Sequence, residues 1–283
     1  QPVTGPVVVL APTSHMAIRH SDLHGTLDDG GMGVENWNGG ASRIDHVVIW
    51  DNFFHDNGDV FATFDQDVEG IHVGSHASYI WVVDNEMARN SGDGIQINAG
   101  EQYKATTHHI YVGRNVSHHN KQGGFWVKQA VDVIFSQNTA YSHRPGNSSL
   151  GHCLGGQYAP DYVWWIYNIA FDCEYGIALF SDWEDGSITH QFFIGNVIRN
   201  IHNSQPGVNP NDDWSPAAII ASGGWERHFV NNTFNDVDSG INVASPYGSA
   251  EVKNNIITNL SQGNGNHVNI GFGSVVNAPG SAL

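Results

Sequence analysis

The chain has 283 residues and a formal net charge of −17, because 28 Asp and Glu residues outnumber 11 Lys and Arg residues. This balance excludes nucleic acid and anionic membrane surfaces as partners. It also disfavours an anionic polymer, unless bound cations invert the local field. No apolar run is long enough to predict a membrane-spanning helix.

A short β-rich run that ends near an Asn recurs along the whole chain. The runs are 47–50, 79–83, 110–112, 131–135, 164–167, 192–194, 228–230 and 251–253, and the Asn residues are Asn52, Asn85, Asn115, Asn138, Asn168, Asn196, Asn232 and Asn255. Self-similarity at a drifting period of this kind is typical of a stacked solenoid. We expect each Asn to form a bend, because Asn tolerates left-handed backbone angles, and to hydrogen-bond to the Asn of the next coil.

A second strand follows most of these Asn residues and begins after a Gly. The segments are 70–73, 94–97, 124–127, 176–179 and 240–243, and 218–220 fills one further slot. Strand alternation points Ile71 and Ile95 to one side of the sheet and His72, Gln96 and Trp126 to the other. Each coil therefore contains at least two short strands around an apolar interior.

These strand and Asn repeats resemble the right-handed parallel β-helix of the pectate-lyase-like superfamily, over roughly residues 18–257. The resemblance implies an all-β solenoid of about nine or ten coils, which at ~4.8 Å per strand is a rod about 45 Å long. Because the repeat runs on without a linker, we predict a single domain over residues 1–283. The superfamily contains lyases, hydrolases, epimerases, tailspikes and structural domains, so the fold alone does not indicate the reaction.

Compartment and assembly are predicted from weaker features. A start at Gln1 fits the removal of a signal peptide, and we expect a secreted, extracellular protein. Cys153 and Cys173 either form one disulfide between adjacent bends or remain two buried thiols. Neither end of the sequence predicts a capping helix, so end-to-end association into fibres, or a trimer, is a further expectation.

Two carboxylates precede consecutive strand-opening glycines and are candidate catalytic residues. Glu69 comes before Gly70 and Asp93 before Gly94, so aligned coils would place them about 5 Å apart on neighbouring rungs. That spacing suits the acid and nucleophile of a glycoside hydrolase, and mutual repulsion would keep one of them protonated. Both residues could instead only cap bends. The outward neighbours predicted to bind substrate are His72, Gln96, Asn98 and Trp126.

A second constellation suits β-elimination, which needs a base and a cation that neutralises the enolate. Lys128 and Arg144 are the candidate pair. The segment 127–129, followed by Asn138, is similar to the Lys-bearing coil of alginate and chondroitin lyases of this fold. In that family an Arg follows in the strand of the next coil. Here the corresponding strand near His152 has none, so Arg144 would have to act from the bend.

Interruptions of the repeat are expected to carry the binding residues, because insertions in solenoids collect on one face. Segment 56–69 is acidic and aromatic, segment 144–159 contains His152 and Tyr158, and an acidic turn contains Trp183. Exposed aromatic rings beside carboxylates and amides are a common way to hold sugars. His152, Tyr158 and Trp183 are therefore predicted to contact a polysaccharide or oligosaccharide.

Metal-binding signals are loose. Segment 65–70 matches only the first half of an EF-hand loop, so that motif is rejected. Asp65 and Asp67, or Asp182 and Glu184, could still bind calcium. We expect no required cofactor, with calcium as the possible exception. The 17 His residues show no zinc-like spacing.

The leading functional hypothesis is a secreted carbohydrate-active enzyme that hydrolyses glycosidic bonds of a polysaccharide with a carboxylate pair. A polysaccharide lyase that uses Lys128 and Arg144 is the first alternative. A structural solenoid that forms fibres, or a non-catalytic glycan-binding module, is the second.

Overall fold

The chain folds into a parallel β-helix, here described from a computed structural model. The structure describes residues 7–27, 30–36, 41–146, 149–180, 190–202, 216–222, 226–244, 249–260, 268–270 and 275–277. Within these residues the strands form three parallel sheets of 10, 10 and 9 strands, which confirms the predicted solenoid of nine to ten coils. No helix in these ranges is long and apolar enough to cross a membrane.

Sheet 1 contains the strands that begin after the glycines. Its strands, in order along the stack, are Val7–Leu10, Met32–Glu35, Ile71–Val73, Ile95–Asn98, Gly123–Lys128, His152–Gln157, Tyr175–Phe180, Ile219–Ser222, Ile241–Ala244 and Val268–Ile270. Consecutive strands pair in register, so that Ile71, Ile95 and Phe125 form one column that faces the interior.

Sheet 2 contains the β-rich runs that precede the Asn residues. Its strands are Thr13–Arg19, Ile44–Trp50, Ala77–Val83, His108–Gly113, Val131–Ser136, Asp161–Ile166, His190–Ile194, Glu226–Val230, Ser249–Lys253 and Val275–Asn277. A 3₁₀ helix, Glu101–Thr106, connects sheet 1 to sheet 2 in one coil. Inside the stack Phe135 lies parallel to Trp165, with ring centroids 4.5 Å apart, and both rings are buried.

Sheet 3 follows the Asn residues directly and was not predicted. Its strands are Asp22–His24, Phe53–His55, Glu86–Ala88, Val116–His118, Thr139–Tyr141, Ile169–Cys173, Val197–Ile201, Thr233–Val237 and Ile256–Leu260. Several of these strands have only three residues and bury one of them, such as Phe54, or two, such as Met87 and Ala88. So short a run carries no readable alternation, which is why the sequence indicated only the apolar side chain after each Asn.

The predicted Asn ladder is present, although its backbone role differs from the expectation. Each Asn Oδ1 accepts hydrogen bonds from the backbone N–H and the side-chain Nδ2 of the Asn one coil earlier, without a break from Asn52 to Asn255. The left-handed conformation falls on the residue before each Asn, including Arg114, Gln137 and Tyr167, with φ between 55° and 58°. The ladder Asn residues are therefore selected for their amide groups.

A shorter ladder supports the bend between sheet 3 and sheet 1. Asn57, Asn90 and Asn120 are fully buried, and the Oδ1 atoms of Asn90 and Asn120 accept hydrogen bonds from the Asn one coil earlier, while Asn57 Oδ1 accepts from Thr26. Asp93 follows Asn90 by three residues and precedes the strand Ile95–Asn98, so this ladder supports the bend that contains Asp93.

Cys153 and Cys173 form a disulfide, which decides between the two alternatives left open by the sequence. The bond joins a sheet 1 strand to the sheet 3 strand of the next coil, across 20 residues of chain. Both residues are buried in the interior core.

Removal of this disulfide is expected to lower the free energy of unfolding by about 2–3 kcal/mol, because a closed loop of this length restricts the unfolded chain. The measurement is urea denaturation of the C153A/C173A double variant beside the oxidised wild type. Reduction of the wild type should produce a similar loss. Equal midpoints for the oxidised protein and the double variant would contradict the prediction.

Candidate active site

The candidate site lies on the outward side of sheet 1, between the strands Met32–Glu35 and His152–Gln157. We call this surface the polar face. It contains carboxylates, amides, a lysine and imidazoles, namely Glu35, Asp67, Glu69, His72, Asp93, Gln96, Asn98, Lys128, His152 and Tyr158.

Glu69 and Asp93 occupy equivalent positions on adjacent rungs. Ile71 pairs with Ile95, and the backbone N–H of Gly70 donates to the carbonyl oxygen of Asp93 at 3.0 Å. Both side chains are buried, Glu69 to 6% exposure and Asp93 to 1%. The spatial proximity inferred from the sequence is therefore present, but Asp93 is covered by its neighbours.

A hydrogen-bonded chain covers Asp93. Lys128 Nζ and Asn98 Nδ2 both donate to Gln96 Oε1, at 3.3 and 3.2 Å, and Gln96 Nε2 donates to Asp93 Oδ2 at 3.2 Å. On its other side, Asp93 Oδ1 lies 3.4 Å from His152 Nε2. Asp93 and His152 consequently position the network, while Lys128 and Asn98 at its outer end retain contact with solvent.

Two glycines make room for the rings that close the polar face. The imidazole of His152 leans back over Gly123 to reach Asp93, and the indole of Trp126 leans forward over Gly155; a Cβ at either glycine would collide with the ring. The two rings contact each other, with centroids 3.9 Å apart. Trp126 is only 6% exposed, so it is a buried wall and not the open stacking platform that the sequence suggested. His152, also predicted to contact substrate, is buried as well.

The carboxylates of the polar face raise one another's pKa. Burial, and then the charges of Asp67 and Asp93, raise the pKa of Glu69 well above its usual range. Asp67 keeps contact with solvent, yet desolvation by its crowded surroundings and the charge of Asp93 raise its pKa to about 6. At neutral pH this arrangement favours a protonated Glu69 beside an ionised Asp67.

His72 adds a neutral imidazole to the polar face. Desolvation and the positive charge of Lys128 lower the pKa of His72 to about 4. Its Nε2 lies 3.7 Å from Glu35 Oε2, and the Glu35 side chain passes over Gly74. Glu35 was not predicted as a site residue, although it ends the strand Met32–Glu35, which pairs in register with Ile71–Val73. Asp67 was considered only as a metal ligand.

The segment before Glu69 contacts side chains from later coils, and Arg144 makes one of these contacts. Lys121 Nζ donates to the carbonyl oxygen of Phe64 at 2.7 Å, and the Arg144 guanidinium lies 4.9 Å from the centroid of the Phe61 ring. Lys128 instead contacts Gln96 and lies 5.9 Å from the centroid of the Tyr158 ring. The predicted Lys128–Arg144 pair is therefore not brought together.

The remaining predictions concern calcium and an aromatic contact. Asp65 is exposed and its charge contributes to the raised pKa of Asp67. In the described parts of the chain, these two residues form no three-ligand set whose atoms lie within 4.8 Å of one another. Asp182, Glu184 and Trp183 lie outside the described residues. Tyr158 is 37% exposed and supplies the aromatic surface at this end of the polar face.

The carboxylate cluster predicts a pH dependence of stability. Asp67 and Glu69 have raised pKa values when folded, so between pH 4 and about 6 the folded protein binds more protons than the unfolded chain. The contribution of Asp67 is complete below the unfolded pKa of about 4 and is lost as pH rises through about 6. The contribution of Glu69, whose pKa is raised well above its usual range, is lost as pH rises through that raised pKa. Urea denaturation from pH 4.5 to 8 should show E69Q gaining stability over wild type as pH rises. E101Q, an exposed control, should follow wild type, and parallel curves for E69Q and wild type would refute the cluster's role.

Comparison with known proteins gives one match. The model of a family described as "Right handed beta helix region" matches residues 4–182. The chain matches no curated protein and no solved structure.

Proposed function

The chain belongs to the right-handed β-helix family, and from this premise we propose that it is a carbohydrate-active enzyme that hydrolyses glycosidic bonds of a polysaccharide on the polar face. The family fixes the architecture and leaves the reaction open. The proposal therefore depends on the chemistry of the polar face.

The observation that carries the proposal is the unequal protonation of neighbouring carboxyl groups. Glycoside hydrolysis requires one carboxylic acid to protonate the leaving oxygen and one carboxylate to act as nucleophile or base. Glu69 keeps its proton because it is buried between Asp67 and Asp93, which makes it the general acid. Asp67 is reachable from solvent and is ionised above a pKa of about 6, which makes it the carboxylate partner. Asp93 maintains the pKa of both as a positioning residue.

The groups around this cluster suit a sugar chain. Asn98, Lys128 and His72 retain partial exposure and present donors and acceptors on neighbouring rungs, and Tyr158 offers an exposed ring. Sugar hydroxyls hydrogen-bond to such groups, while the apolar face of a sugar ring packs on an aromatic ring. Equivalent groups repeat along the stack about every 4.8 Å, so an extended polymer fits better than a single sugar.

The position of Lys128 supports β-elimination as the second candidate. Its ammonium group lies at the outer end of the hydrogen-bonded chain and next to Tyr158, where a uronate could bind. A bound calcium ion would neutralise the carboxylate in such a reaction. Arg144 contacts Phe61 and was not found beside Lys128. The cation pair that elimination would use is therefore missing from this cluster, and hydrolysis is the better-supported reaction.

The test is incubation with a panel of neutral and uronate-containing polysaccharides, with and without a calcium chelator. Hydrolysis predicts new reducing ends without ultraviolet absorbance of an unsaturated product, and insensitivity to the chelator. Unsaturated product that disappears in K128A selects the lyase. Saturable binding without turnover selects a glycan-binding module. If the protein neither binds nor cleaves any glycan of the panel, the proposal is rejected.

The disulfide supports secretion as part of this proposal. Structural disulfides persist in oxidising compartments and are rare in the cytosol. A polysaccharide substrate is also an extracellular substrate in most settings. Both points agree with an enzyme that acts outside the cell.

A further inference from the structure

A cluster of nitrogen and oxygen ligands lies on the outward side of sheet 2, away from the polar face. His15 belongs to the strand Thr13–Arg19, and Asp45 and His46 belong to the adjacent strand Ile44–Trp50. One ligand atom from each side chain lies within 4.8 Å of the other two. Among the residues that the structure describes, no other group of three His, Cys, Asp or Glu side chains meets this condition.

The Nδ1 atoms of both imidazoles are connected to one carboxylate oxygen, His46 directly and His15 through Ser14. Asp45 Oδ1 accepts from His46 Nδ1 at 2.6 Å and from Ser14 Oγ at 2.6 Å, and Ser14 Oγ lies 2.6 Å from His15 Nδ1. Since Ser14 donates its only proton to Asp45, His15 Nδ1 must donate to Ser14. Ser14 therefore links His15 Nδ1 to the Asp45 oxygen that His46 Nδ1 contacts, which brings the three side chains together.

The other His–carboxylate contacts among the described residues belong to no such three-ligand group. His118 contacts Glu86 through Nε2, at 3.0 Å, and His119 through Nδ1, at 2.8 Å. The two nitrogens of one imidazole point in opposite directions, and a metal ion uses one of them. His118 contacts its two neighbours through different nitrogens of its ring. It therefore serves as the control residue for the metal site.

The two imidazole rings of the cluster are stacked on each other. Their rings are parallel within 1°, with centroids 4.6 Å apart, and both residues have a left-handed backbone with φ of 57° and 54°. Both imidazoles are exposed, so an ion can reach them directly from solvent.

We propose that His15, Asp45 and His46 bind a divalent transition metal of the zinc class and so join two neighbouring coils. Imidazole nitrogens with one carboxylate oxygen suit zinc, and water supplies the fourth ligand. On binding, the proton of each Nδ1 moves to the exposed Nε2 of the same ring, so neutral imidazoles release no net proton. Tetrahedral bonds of about 2.1 Å need ligand atoms about 3.4 Å apart, so exposed side chains close by roughly an ångström.

The site would stabilise the folded chain specifically, because its ligands come from different strands. His15 is 31 residues from its stacking partner in sequence and one rung away in space. The unfolded chain does not hold these groups together. A metal that binds only the folded state raises the unfolding temperature with its concentration.

The experiment is calorimetric titration of the untagged, metal-free protein with zinc chloride, together with thermal unfolding at increasing zinc. Wild type should bind one zinc ion per chain at this site and gain unfolding temperature. H15A and H46A should each weaken binding at least about tenfold and lose the thermal shift, and S14A should weaken binding about tenfold, because it removes a partner that orients the ligands. H118A should match wild type.

Circular dichroism of each variant checks that the exposed substitutions leave the fold intact, and calcium provides a second probe. A hard cation such as calcium should not compete with zinc for a site built from two imidazoles. Unchanged zinc affinity in the H15A/H46A double variant, an equal loss in H118A, or displacement of zinc by calcium would each overturn the proposal.

Discussion

Replacement of Asn138 by Ala is expected to lower the free energy of unfolding by about 4 kcal/mol or more, a loss larger than that expected from removal of the disulfide. Asn138 is a fully buried member of the ladder and contacts the coils on both sides. Its Oδ1 accepts from Asn115 N–H at 3.0 Å and from Asn115 Nδ2 at 3.1 Å. Its Nδ2 donates to Val112 O at 2.9 Å and to Asn168 Oδ1 at 3.1 Å.

The expected size of the loss follows from these contacts. An Ala side chain leaves the Asn115 donors and the Val112 carbonyl of the preceding coil without this partner, and Asn168 Oδ1 of the next coil loses one of its two donors, in a place that water does not reach. Each buried polar group left unpaired costs about 1–3 kcal/mol. N138D keeps the acceptor oxygen, yet it buries a charge and removes the donors, so it should also destabilise strongly.

Urea denaturation of N138A beside Q137A measures this effect. Gln137 is the preceding residue, is exposed and has a left-handed φ of 58°, so its replacement by Ala changes neither a buried hydrogen bond nor the backbone strain. Q137A should stay within about 0.5 kcal/mol of wild type. If N138A unfolds at the same urea concentration as Q137A, the ladder does not stabilise the stack.

Much of the fold could be predicted because a solenoid turns sequence period into spatial neighbourhood. Once coils are aligned on the strand-opening glycines Gly70 and Gly94, the pairing of Ile71 with Ile95 follows without knowledge of any side-chain contact. Sheet 3 was not predicted because its shortest strands have three residues, too few to show an alternating pattern. The left-handed conformation of the residue before each ladder Asn was not predicted, because residues as different as Arg114 and Tyr167 occupy that position. The stack imposes this conformation, and residue type gives no sign of it.

The candidate site was predictable only as far as register determines it. Register places Glu69 beside Asp93 and aligns His72 with Gln96. It does not reveal that His152 crosses Gly123 to reach Asp93, because that contact depends on a rotamer and on the absence of a Cβ one rung away. Burial of Asp93 likewise depends on groups from other coils.

The pairing of adjacent strands also affects the protonation of Glu69. Two carboxyl groups on adjacent rungs cannot move apart, because the backbone hydrogen bonds between their strands hold them near the strand spacing. The repulsion between them therefore persists in the folded protein and is relieved by protonation. A stable stack is thus the condition for a raised pKa at Glu69, and loosening of the ladder should lower that pKa.

Replacement of Glu69 by Gln is expected to lower kcat on the cleaved glycan about 10³-fold, because a general acid contributes roughly 10²–10⁴-fold to the rate. Gln has the same shape and keeps the neighbouring contacts, but it cannot release a proton to the leaving oxygen. KM should change little, since the loss is confined to the transition state. The measurement is steady-state release of reducing ends by E69Q and by E86Q, a matched substitution on sheet 3, which should retain wild-type activity.

The pH profile separates this role from a structural one. Wild-type kcat should fall below about pH 6 as Asp67 becomes protonated, and should fall again at high pH as Glu69 loses its proton. D67N should remove most activity, and D93N should shift the alkaline limb to lower pH, because one repelling charge is gone. Full activity of E69Q, or an alkaline limb unmoved in a folded D93N, would show that the proton comes from another group.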